Sequence, residues 1–239
     1  MDPEFYARPL VLSGSVGRRR IFSPQAYPMG RNRQILPVVH MEALDLAAWF
    51  PVVWTRLRGP LELVVLRSLL PEGAGHPYGS PQVPSSLPFI LKAYPLVVDP
   101  AQSGGDVRVD DVIADEPTDV GATLLTERGL PSKALEERIS YLHRFTSAHA
   151  VTLRMGEHLA EAGLLQTWDL RFPDDVGLGP FPEFLVVRPE AYETDGFISF
   201  GRVFGAAGLR LLSAHAISLY RAAILYQRAR QDLSRTAAA

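Results

Sequence analysis

Apolar residues recur along this chain at two periods. Between residues 132 and 162, Leu135, Ile139, Leu142, Phe145, His149, Thr152, Met155 or Gly156, and Leu159 fall three or four positions apart. That spacing places them on one face of an α-helix. Gly163 is a natural stop, because glycine takes the left-handed conformation that closes helices. A second helical pattern runs from about 206 to 233, with Leu209, Leu212, Ala216, Leu219 and Ala223 marking a buried face. Short apolar and β-branched runs predict strands at 9–12, 36–41, 52–57, 61–66, 96–99, 107–113, 166–172 and 184–188. Arg58-Gly59-Pro60 turns the third of these into the fourth. Residues 42–50 read as one or two helical turns stopped by Pro51. Residues 71–84 form a loop dense in Gly and Pro. A short helix follows, capped by Ser85 or Ser86, with Pro88 in its first turn, and it ends before Pro95.

Strands gather in the first half of the chain and long helices in the second. The predicted fold class is α+β, a β-rich N-terminal half packed with two long helices of the C-terminal half. Residues 1–5 (Met-Asp-Pro-Glu-Phe) resemble a cloning scar. Residues 6–34 read as a basic extended arm, and 35–235 as a single domain. A lobe division near 123 is the alternative, but neither half alone buries a large core.

Composition narrows the chemistry. The chain has 239 residues, 47% of them hydrophobic, and a formal net charge of −2. Global charge therefore gives no reason to expect DNA. With no cysteine, disulfides and thiolate chemistry are excluded. The longest apolar runs, 46–54 and 61–70, are broken by Pro51 and carry Glu62 and Arg67. Both fall short of the ~20 residues a membrane-spanning helix requires, so no transmembrane segment is predicted. The apolar stretch at 9–16 precedes Arg18, Arg19 and Arg20, the reverse of a signal peptide. A cytoplasmic protein is expected, with peripheral association with the envelope left open.

No motif for catalysis or metal binding emerges. The six histidines are His40, His76, His143, His149, His158 and His215, and no HExxH pair exists among them. Neither a GxSxG elbow nor a phosphate-binding glycine loop is present. Asp106, Asp110, Asp111, Asp115, Glu116 and Asp119 form an acidic stretch without the offsets of an EF-hand. The prediction is no metal and no cofactor. His215 lies in a mainly apolar helix, so a buried imidazole there needs a partner. Two readings stand for it: a satisfied core histidine, or a polar group lining a pocket with His40, Glu42 and Ser218. Arg8, Arg18, Arg19, Arg20, Arg31 and Arg33 make the arm basic, and no acid interrupts it between Tyr6 and His40. They are simply solvated, they dock on the chain's own acidic stretch, or they serve a partner.

Several blocks in sequence order resemble the SapC family of bacterial proteins. These are Leu36-Pro37-Val38-Val39-His40-Met41-Glu42-Ala43, then Ala47-Ala48-Trp49-Phe50-Pro51-Val52-Val53-Trp54, then Ser86-Leu87-Pro88-Phe89-Ile90-Leu91-Lys92-Ala93-Tyr94-Pro95-Leu96. Leu124 to Ser132 and the stretch from Leu209 to Leu225, with His215 and Ser218, complete the pattern. The resemblance spans roughly 35–230. It implies an accessory protein of a cell-surface, uptake or peptide-modification system, and no enzymatic reaction carries over with it.

The functional reading is a non-catalytic binding protein for a protein or peptide partner. Arg18, Arg19, Arg20, Arg31, Arg33, Lys92, Tyr94 and Trp54 would contact that partner, alongside the loop at 71–84. The alternatives are an enzyme or enzyme subunit with a cleft around His215, His40 and Glu42, and a self-assembling surface-layer component. An oligomer is compatible with each.

Overall fold

The computed structural model describes residues 6–12, 14–28, 30, 33–70, 87–97, 107–112, 114, 115, 117, 119–172, 178 and 181–238. In chain order the elements are β1 (Pro9–Val11), the helical turn α1 (Gly14–Gly17), β2 (Arg20–Ile21) and β3 (Ile35–Pro37). Next come α2 (Ala43–Ala47), β4 (Val52–Thr55), β5 (Glu62–Leu66), α3 (Phe89–Ala93), β6 (Arg108–Asp110) and β7 (Ala122–Thr123). The chain closes with α4 (Lys133–Glu161), β8 (Leu165–Thr167), β9 (Phe184–Val187), α5 (Asp195–Ser218) and α6 (Arg221–Ala238). The fold is α+β.

Its centre is an antiparallel sheet in the order β3-β5-β4-β9-β8. Val52-Val53-Trp54 and Leu63-Val64-Val65-Leu66 lack the alternation of a half-exposed strand because helices cover both faces. On one face Val52, Trp54, Leu63 and Val65 join Phe145, Met155 and Leu159 of α4 and Leu211 and Leu212 of α5. On the other, Val53, Val64, Leu66, Phe184 and Val186 pack against Leu225 and Ala229 of α6. The turn at Leu219-Tyr220 therefore carries the chain from one face of the sheet to the other.

α4 follows its predicted stripe. Ser132 caps it, its hydroxyl accepting from the Leu135 N–H at 3.2 Å. Leu135, Phe145, Thr152, Met155, Gly156 and Leu159 are buried, while Ile139, Leu142 and His149 are partly so. Gly163 takes φ +64° just past the end.

The C-terminal pattern is corrected. The predicted single helix at 206–233 is two helices, so the second half holds three long helices rather than two. The buried face is Gly208, Leu211, Leu212, Ala214, His215 and Ser218, then Ala222, Leu225 and Ala229. Leu209, Ala216 and Ala223 point outward. Hydrophobic spacing misses this because two polar side chains, His215 and Ser218, are required inside. Among the described residues α5 is the one helix long and apolar enough to cross a bilayer by length and composition, a test that core helices also pass. Its glycines and alanines keep it from standing out as an unbroken apolar run.

Other differences are local. The strand expected at 36–41 spans Ile35–Pro37, and that at 166–172 spans Leu165–Thr167, although Trp168 still bonds back to Phe184. Leu96 contributes a single bridge to Val109. Pro88, not Ser85 or Ser86, stands at the N-cap of α3; those serines and the loop at 71–84 lie outside the described residues. The arm carries two short strands instead of one, with β1 pairing β6 and β2 pairing β7. Tyr6, Val16, Ile21, Ala26 and Tyr27 bury its inner side.

Within α5, Gly205 has φ 55° and ψ −145°, and the helix bends there. Only glycine adopts this conformation without strain. Gly205→Ala should therefore destabilise the fold by ~1–3 kcal/mol, although no atom lies within 4 Å of the added methyl group. Urea denaturation of the two proteins measures the difference, and an unchanged midpoint would refute it.

Candidate functional site

His215 and Ser218 sit where β4 and β9 come apart. The two strands pair at Trp54↔Leu185 and Thr55↔Phe184. Continuing that register would set Val52 opposite Val187. Instead α5 inserts two side chains between them. The Val187 N–H donates to His215 Nε2 at 3.1 Å, so the imidazole proton resides on Nδ1, which donates to Val52 O at 2.7 Å. Ser218 Oγ accepts from the Val52 N–H at 2.9 Å and donates to His215 O at 2.7 Å. The side chains thus replace the missing ladder bonds, meeting the rule that buried backbone polar groups are paired. Burial lowers the His215 pKa to about 4, against a small opposing pull from its bond to Val52.

Glu42 and His40 serve other segments. Glu42, 2% exposed, accepts from the Val39 N–H at 3.1 Å and from the Phe89 N–H that opens α3. Burial raises its pKa to about 8, outweighing both hydrogen bonds and the nearby Lys92 charge. Thr152 Oγ1 of α4 receives the His40 N–H at 3.1 Å and meets its Nδ1 at 2.8 Å. His40, Glu42 and His215 share no hydrogen bond, and each binds a different part of the structure. Of the four residues expected around a pocket, His215 and Ser218 meet at Val52, whereas His40 bonds Thr152 and Glu42 bonds Val39 and Phe89.

The expected partner contacts divide. Trp54 is fully buried, its ring 4.8 Å from that of His215. Tyr94 is 1% exposed and donates to Asp110 Oδ2 at 2.9 Å. Neither side chain reaches a partner at the surface, which corrects that expectation; both large rings fill the core. The arm engages its own acidic stretch. Arg19 and Arg8 pair with Asp111, the Arg8 N–H donates to Asp110 at 2.7 Å, and the Ser23 N–H donates to Asp119 at 3.0 Å. Arg20 donates to Val120 O and Gly121 O. Arg33 offers its carbonyl to buried Arg67, and Arg18 is exposed. Arg31, His76, Asp106 and Glu116 lie outside the described residues. His149 packs on Phe145 and His158 against Phe200 and Phe204. Among the described residues, no cluster of three or more potential ligands could hold a metal ion.

Lys92 remains. Half-buried, it lies 5.6 Å from the Phe89 ring centre and 5.3 Å from that of Tyr141 on α4. From the same helix, exposed Arg144 stands 5.5 Å from the Tyr141 ring. Two cations thus flank one partly exposed tyrosine, and among the described residues neither has a carboxylate within ion-pair distance. Burial lowers the Lys92 pKa, the Glu42 and Asp45 charges oppose that shift, and Arg144 adds to it. Tyr141 and Arg144 are the residues the sequence reading missed. Their i, i+3 spacing on a long helix is a legible aromatic–cation pair; their convergence with Lys92 requires the packing of α3 on α4.

The SapC family model matches residues 17–221 of the chain. No curated protein and no solved structure matches it.

His215 also fixes a pH dependence. The folded pKa of about 4 lies below the unfolded value of ~6.5, so between them the unfolded chain binds the extra proton. The stabilisation from neutral His215 is complete above ~6.5 and is lost as pH falls toward 4. His215→Ala should cost roughly 2–4 kcal/mol at neutral pH, because it strands buried groups of Val52 and Val187. It should cost distinctly less at pH ~5. Urea unfolding at both values decides this; an equal loss at each would show that the imidazole does not titrate between the two states.

Proposed function

The chain belongs to the SapC family, and from that premise we propose that it is a non-catalytic accessory protein that binds a protein or peptide partner. The observation that carries the reading is the Lys92–Tyr141–Arg144 surface. A partly exposed aromatic ring between two cations that form no ion pair among the described residues suits an acidic side chain or a chain-terminal carboxylate. Tyrosine and arginine are also the residue types that dominate binding energy at protein interfaces. Arg19 and Arg20 are already held by the chain's own carboxylate and carbonyl groups, so the contact moves from the arm to α3 and α4. Family resemblance points to a bacterial cell-surface, uptake or peptide-modification system as the setting.

The tagged chain, used as bait in a lysate of its native organism and eluted with a salt gradient, should retain a stoichiometric partner. Lys92→Gln combined with Arg144→Glu should weaken that complex by roughly tenfold or more, mainly through faster dissociation, with unchanged thermal stability. Equal retention by wild type and variant would remove this surface from the interface. Recovery of wild type alone, as a monomer, would count against the binding role itself.

A further inference from the structure

Lysine is nearly absent from this chain. Lys and Arg together number 24, and two of them are lysine, Lys92 and Lys133. The difference is chemical: arginine stays protonated, whereas a lysine amine can lose its proton and act as a nucleophile. Lys92 is half-buried on α3, its Nζ over two rings at once, 5.6 Å from the Phe89 centre and 5.3 Å from that of Tyr141. The two rings lie tilted at 5.8 Å from each other. The exposed Arg144 guanidinium stands on the same tyrosine at 5.5 Å.

This setting holds the amine in place beside a second cation. Glu42, the buried acid whose charge it feels, is occupied by the Val39 and Phe89 N–H groups. Burial and Arg144 disfavour the ammonium form, Glu42 and Asp45 favour it, and the net direction is downward. More of Lys92 is therefore free amine at neutral pH than in an ordinary lysine. Lys133 is the contrast. It is exposed in the first turn of α4, with Glu136 and Glu137 three and four residues further on, where carboxylates repel an anionic reagent.

We infer that Lys92 is a modification site that takes the acyl group of an acyl phosphate, with Arg144 holding the phosphate. Arginine suits that task because its fork of N–H donors matches phosphate oxygens. The Nζ lone pair attacks the acyl carbon, and an amide N–C bond forms. The C–O bond to phosphate breaks, and inorganic phosphate leaves with the electron pair of that bond. The proton shed by the nitrogen goes to water. Phe89 and Tyr141 keep the amine oriented, which favours reaction over that of a freely rotating side chain. The product is a neutral amide, so one of the two cations around Tyr141 is lost. That loss would weaken carboxylate binding at this surface, a consequence that rests on the binding role proposed above; the acyl transfer itself does not.

Incubating the full chain with acetyl phosphate near neutral pH, followed by peptide mass spectrometry over time, tests this without any partner. Lys92 should gain the acetyl group roughly fivefold or more faster than Lys133. In urea the preference should vanish, because only folding brings Tyr141 and Arg144 to Lys92. Arg144→Gln should slow Lys92 severalfold and leave Lys133 unchanged; Arg144 is exposed, and melting verifies that the variant folds. Equal rates at the two lysines overturn the inference. So does a preference that persists in urea, or an Arg144→Gln protein whose Lys92 reacts like wild type. Selective acetylation with unaltered partner retention would uphold the modified site and remove it from the interface, so the two readings fail separately.

Discussion

The imidazole of His215 joins the two halves of this protein. β3, β5 and β4 come from the first third of the chain, β8 and β9 from the last, and the sheet is continuous only through β4 and β9. That junction has two residue pairs, Trp54↔Leu185 and Thr55↔Phe184. Beyond them the strands diverge, and unpaired Val52 and Val187 would each carry the cost of a buried polar group. A neutral imidazole has one donor and one acceptor on opposite sides of a flat ring, which suits it to bridge such a gap. The same contact ends α5 at the rim of the sheet and sends α6 across the far face. The neutral imidazole thus adds to the two ladder pairs and the Ser218 bond that hold β4, β9 and α5 together.

Other buried polar groups act in the same manner, as anchors for backbone. Glu42 holds the Val39 turn to the start of α3. Buried Arg67 donates to Gly30 O and Arg33 O, fastening the end of the arm. Asp110 takes the Arg8 N–H and the Tyr94 hydroxyl. Arg138 of α4 donates to Tyr94 O and Phe22 O. Each links segments distant in sequence and meets needs that loops and helix ends cannot meet locally. A perturbed pKa in such a setting reports structural burial, as readily as it reports chemistry. This is why the polar residues that first suggest a pocket are instead scaffold.

In the proposed binding role, recognition falls to surfaces. The Lys92–Tyr141–Arg144 group presents charge around an aromatic ring.

The sequence by itself determined the elements whose spacing and caps are local. α4, its Ser132 cap, the glycine at its end and the two valine-rich strands were all legible, because local spacing and capping chemistry act within a few residues. The arm's affinity for the acidic stretch was legible as one of three options, from charge sign alone. Tertiary structure decided which face of α5 points inward, because the strand ends at Val52 and Val187 select His215 and Ser218 over Leu209 and Ala216. It also decided that Trp54 and Tyr94 are core and that Lys92 meets Tyr141. Spacing along a chain reports what a helix or strand can bury; only the partner brought from far away in sequence determines which polar groups must be buried with it.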